Sequence, residues 1–112
     1  MKRLVFLMAF FLIGIMVFAT APKKVELKLN KNTGVLEVTV IHKVKDVEKH
    51  YIDEIIVEVN GEQVAVKTPE KQADVQQETI EFVLENLKPG DEIKVSAKCN
   101  QFGKKSAKLT VE

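Results

Sequence analysis

From Lys24 onward, apolar and polar residues alternate almost one by one, and a period of two confines a chain to strands. Val25, Leu27 and Leu29 alternate with Lys24, Glu26 and Lys28. Leu36, Val38, Val40 and His42 form a second row, opposite Glu37 and Thr39. Ile80, Phe82 and Leu84 form another, and so do Ala107, Leu109 and Val111. In Ile93, Val95, Ala97 and Cys99 the row ends on a thiol, as the second row ends on an imidazole.

Turn residues separate these rows: Asn30-Lys31-Asn32-Thr33-Gly34, Asn60-Gly61, Lys88-Pro89-Gly90-Asp91 and Gly103. A strand that follows His50 places Tyr51, Ile55, Val57 and Val59 on one face with Asp53, and Ile52 and Ile56 on the other. Asn60-Gly61 predicts a two-residue type I′ hairpin, with Val57 opposite Val64 and Ile55 opposite Val66. The run from Thr68 to Gln77 is polar, contains Pro69 and reads as a surface loop. The expectation is an all-β, seven-stranded, immunoglobulin-like β-sandwich, in architecture only, because neither a disulfide pair nor a tryptophan is present.

The first 21 residues stand apart from this pattern. Lys2 and Arg3 precede an uncharged run of 18 residues from Leu4 to Ala21, which reads as an N-terminal apolar export helix. Residues 1–21 are thus expected to be a signal peptide or N-terminal membrane anchor, and residues 22–112 the domain. Ala19-Thr20-Ala21 fits the small-x-small cleavage rule, although Pro22 would follow the cut, and Val17-Phe18-Ala19 is an alternative. Uncleaved, residues 4–21 are just long enough to span a bilayer and would be the chain's membrane contact. The domain is therefore expected in the periplasm, outside the cell, or tethered to the outer face of the cytoplasmic membrane.

Lys2 and Arg3 account for two of the 17 basic residues, so residues 22–112 carry 15 against 16 acids. The basic residues are scattered along the strands, which argues against a nucleic-acid partner. Tyr51 is the sole tyrosine, too little for a base-stacking platform.

Three side chains suggest chemistry: His42, His50 and Cys99. His42 and Cys99 each end an inward row, and His50 follows the loop that leaves His42, so all three are expected at one end of the sandwich. Two imidazoles and a thiolate suit Fe, Cu or Zn. The bland alternative makes Cys99 a small core residue, with the histidines bonded to loop backbone. A lone exported thiol also offers the cross-link of a homodimer. A Cys99 nucleophile lacks any sign of an oxyanion hole. The acidic pairs Asp53-Glu54 and Asp91-Glu92 read as solvated surface, not as catalytic carboxylates.

The stretch His42-x7-His50-Tyr51-Ile52, followed by Val59-Asn60-Gly61, resembles the iron domain of desulfoferrodoxins and superoxide reductases. Ala97-Lys98-Cys99-Asn100-Gln101-Phe102-Gly103 is similar to that family's Cys-Asn-x-His-Gly segment. The resemblance covers roughly Leu36 to Gly103 in the same order. It implies a seven-stranded domain that holds iron with four histidines and an axial cysteine. By motif, His42 and His50 match two equatorial ligands and Cys99 the axial one, with an electron-donor protein as partner. Phe102 stands where the family has its last histidine, residues 22–41 hold none, and the two loop histidines are further apart than usual. With two histidines in the whole chain, the resemblance implies iron binding (Fe2+, with Cu or Zn as alternatives) and weak or no superoxide reductase activity. A looser similarity, to the exported sandwich that partners the sulfur carrier of the Sox system, implies instead a metal-free, non-enzymatic binding module for a carrier protein. A cupredoxin is disfavoured, because no histidine or methionine follows Cys99.

Overall fold

The computed structural model describes residues 21–112, so the apolar run read as an export helix lies, apart from Ala21, outside the described residues. Seven strands form: β1 (Lys24–Asn30), β2 (Val35–Ile41), β3 (Ile52–Val59), β4 (Glu62–Lys67), β5 (Gln77–Val83), β6 (Glu92–Cys99) and β7 (Lys104–Thr110). They make a three-stranded sheet in the order β1-β2-β5 and a four-stranded sheet in the order β4-β3-β6-β7. Every pairing is antiparallel. Among the described residues, no helix is long and apolar enough to cross a membrane.

The alternation explains the layering. Leu36, Val38, Val40 and Phe82 project from the first sheet into one apolar cluster, and Ile55, Val57, Ile93, Val95 and Ala97 meet them from the second. Each fully buried aliphatic side chain contributes about 1.5–3 kcal/mol relative to solvent exposure, so these rows are what bind the two sheets. Strand ends are held by turn chemistry. Asn30 Oδ1 accepts the amides of Asn32 and Thr33 at 2.9 and 3.2 Å, which closes the β1–β2 turn. Gly34 ends that turn at φ +79, and a Cβ there would lie 2.3 Å from the carbonyl oxygen of Leu84, so the end of β5 can approach only a glycine.

Two β-bulges correct the expected phases. Asn60 and Gly61 take φ values of 51 and 88, as a type I′ turn requires. Beyond the turn, Glu58 faces Gln63 but Val57 faces Ala65, so Val64 is an extra residue. The predicted Val57–Val64 and Ile55–Val66 pairs do not form, and Val64 and Val66 are exposed. On the other side of β3, Ile52 faces Cys99 while Glu54 faces Lys98, which makes Asp53 the extra residue. Ile52 is therefore buried together with Ile55 and Val57, not on the face opposite to them.

Candidate metal centre

Three segments converge where β2 ends, β3 begins and β6 ends. His42 follows the last residue of β2 and is completely buried, because it continues the inward row of Leu36, Val38 and Val40. Cys99 closes β6 in the same way, after Ile93, Val95 and Ala97. His50 arrives by a different route. The Asp53 bulge shifts the phase of β3 by one residue, so the inward parity carried by Ile52 extends back to His50 and not to Tyr51.

The result is a compact donor set. His42, His50 and Cys99 each present one ligand atom, and the three atoms lie within 4.8 Å of one another. His50 Nε2 is 3.1 Å from Cys99 Sγ. The two imidazoles meet edge to face, with centroids 4.8 Å apart and planes at 87°.

Backbone bonds hold each segment in place. The β2–β3 loop turns on Asp46, whose carboxylate accepts the Glu48 amide at 2.9 Å and whose carbonyl accepts the His50 amide at 3.0 Å. Asn100 clamps the loop after β6 against the start of β3. Its Oδ1 accepts the Tyr51 amide at 3.0 Å and its Nδ2 donates to the Lys49 carbonyl at 3.1 Å. Its own amide donates to the Tyr51 carbonyl at 2.9 Å. Gln101 donates its backbone N–H to Cys99 Sγ at 3.3 Å, the kind of N–H···S contact that orients a ligating sulfur. Next to the site, Asp53 and Lys98 form an ion pair at 2.9 Å, and the carboxylate holds the Lys98 ammonium above the usual lysine range.

Gln72 is the residue that sequence reasoning missed. Only 1% exposed, it reaches His42 from the β4–β5 loop, with Oε1 at 2.7 Å from Nδ1. Its Nε2 donates to the carbonyls of His42 at 2.7 Å and Asp74 at 2.9 Å. Nothing in the polar run from Thr68 to Gln77 distinguishes a buried glutamine from its solvated neighbours. Phe102, at the position where the resembled motif carries a histidine, is 64% exposed and contributes no side chain to the core. Glu78 is buried beside this loop. Burial pushes its carboxyl above the ordinary value of 4.5, against the amides of Thr79 and Ala73, which it accepts at 3.0 and 3.1 Å.

No protein-family model, curated protein or solved structure matches this chain.

Proposed function

We propose that this protein is an exported, mononuclear iron-binding protein that holds Fe(II) through His42, His50 and Cys99, on a sandwich of immunoglobulin-like type. The observation that carries the reading is the meeting of one thiol and two imidazoles, from three separate segments, within 4.8 Å. Only these two histidines and this cysteine exist in the chain, so their gathering at one point is informative.

The donor set fits a transition metal. Tetrahedral nitrogen and sulfur ligands of one ion are separated by about 3.6 Å, given bond lengths of about 2.1 and 2.3 Å. His50 Nε2 and Cys99 Sγ, at 3.1 Å, need to part slightly, and the widest pair, within 4.8 Å, needs to close by about an ångström. The adjustment falls to His50, which is half-buried in the β2–β3 loop, because His42 is fully buried and held by Gln72. A thiolate with two imidazoles accepts Fe(II), Cu or Zn by ligand type. The similarity to the desulfoferrodoxin iron domain selects iron.

Bound iron would supply one-electron redox chemistry, with an electron-donor protein as the natural partner. The chain's own residues set its limits. Cys99 provides the thiolate, His42 and His50 provide two nitrogens, and Phe102 provides nothing where a further imidazole stands in the resembled family. We therefore expect weak superoxide reductase activity or none.

A metal-free binding module is the second reading, because the His50–Cys99 and His42–Gln72 bonds give these groups partners without an ion. Metal analysis of protein purified without an affinity tag, alongside Cys99→Ser, separates the two. About one iron per chain in the wild type, lost in the variant, supports the proposal. No bound metal, and no uptake on anaerobic addition of Fe(II), refutes it.

A further inference from the structure

The geometry points to Gln72 as the positioning residue of the site: it fixes His42 in the Nδ1–H tautomer, so that His42 ligates through Nε2. This inference rests on the metal-binding reading above and adds a residue and a ligating atom to it.

A glutamine side chain has one acceptor and one two-proton donor, and its orientation follows from its neighbours. Here Nε2 faces two carbonyl oxygens, those of His42 and Asp74, at 2.7 and 2.9 Å. Carbonyls only accept, so the nitrogen belongs there and the amide cannot be reversed. Oε1 then faces His42 Nδ1 at 2.7 Å. An amide oxygen also only accepts, so Nδ1 must carry a proton and donate. In the neutral ring the lone pair is then on Nε2, the nitrogen a metal would use.

The position of Gln72 is itself secured. Its backbone N–H donates to the Val47 carbonyl at 3.0 Å. The same two loops are joined by Val44 N–H to the Val75 carbonyl at 2.8 Å, and by His42 N–H to the Gln76 carbonyl at 3.0 Å. Gln72 is thus locked between the β2–β3 and β4–β5 loops and grips His42 at both ring and backbone. Outer partners of this kind set tautomer and ring orientation, and their loss typically lowers metal affinity about 10–100-fold.

Two measurements on the full-length protein test this. In the metal-free state, imidazole 15N shifts should report Nδ1–H at His42 in the wild type. In Gln72→Leu the Nε2–H form, which imidazole prefers in water, should take over. Titration with Co(II) as the probe should show affinity about 10–100-fold weaker for Gln72→Leu, with a shifted ligand-field spectrum. Should Gln72→Leu fail to fold, the wild-type tautomer decides. An Nε2–H ring at His42 in the wild type overturns the inference. So does a folded Gln72→Leu with wild-type affinity and spectrum. Absence of Co(II) uptake by the wild type, with Nδ1–H intact, refutes the metal reading and the positioning role with it.

Discussion

Ile52 lies directly opposite Cys99, and the residue after it, Asp53, has no partner of its own on β6. That single extra residue decides which side chain meets the thiol. Were β3 to alternate strictly through Asp53, with no bulge, the inward parity of Ile55 and Val57 would extend back to Asp53 and Tyr51, leaving His50 outside. With it, Ile52 is buried and His50 Nε2 reaches Sγ at 3.1 Å.

Deletion of Asp53 should remove the bulge without changing the phase, because Glu54 alone then separates Ile52 from Ile55 and pairs with Lys98 as before. Ile52 and His50 are expected to stay inward, so the variant should keep metal uptake and lose only the Asp53–Lys98 ion pair, as Asp53→Ala does. Circular dichroism melts and Fe(II) titration of both variants check this. A deletion variant that folds but takes up no metal would show that the bulge places His50 by more than its parity.

Gly61 tests the other end of β3. A Cβ at this position meets nothing within 4 Å, so any cost of substitution is purely conformational. Because φ is 88 there, Gly61→Val should destabilise the domain by about 1–3 kcal/mol, and Gly61→Asn by much less. Urea denaturation of the two variants measures the difference.

Much of the fold was legible in the sequence because most strands have one unambiguous apolar row. Leu36-Val38-Val40 and Ile93-Val95-Ala97 admit a single phase, and their continuations brought His42 and Cys99 inward. β3 is different. Ile52, Ile55, Ile56 and Val57 place apolar residues on both parities, so neither phase is excluded, and a bulge at a polar Asp53 carries no compositional mark. Val64 poses the same problem within Val64-Ala65-Val66. Gln72 was illegible for another reason: its burial depends on groups such as His42, 30 residues away, and not on its own neighbours.

Glu78 makes stability depend on pH in a direction opposite to that of most acids. Its folded-state value is raised, mainly by burial, so the unfolded chain ionises first as pH rises. Its contribution is complete below the ordinary value of 4.5 and is lost as pH climbs through the raised folded value. Glu78→Gln keeps an oxygen to accept the Ala73 and Thr79 amides and has no charge to bury. The variant should melt higher than wild type at pH 7, and the gain should vanish below about pH 4.5. A gain that persists in acid would mean that the amide helps by some other contact.

Iron chemistry offers the last test. Superoxide reductases, which this chain resembles in motif, set the reactivity of their iron with four histidines besides the cysteine, and only two histidines exist here. Nitrogen ligands and their hydrogen bonds tune potential and affinity, so half the set should give a weaker and slower centre. Phe102 is the natural place to add one. It is 64% exposed in the loop that follows Cys99, so an imidazole there displaces no core packing. Phe102→His should bind Fe(II) more tightly than wild type, while Cys99→Ser should lose the thiolate-to-iron charge-transfer band. Stopped-flow decay of superoxide should be slow for the iron-loaded wild type. A rate near the diffusion limit would mean that two histidines and a thiolate suffice, and that this protein is an enzyme in its own right.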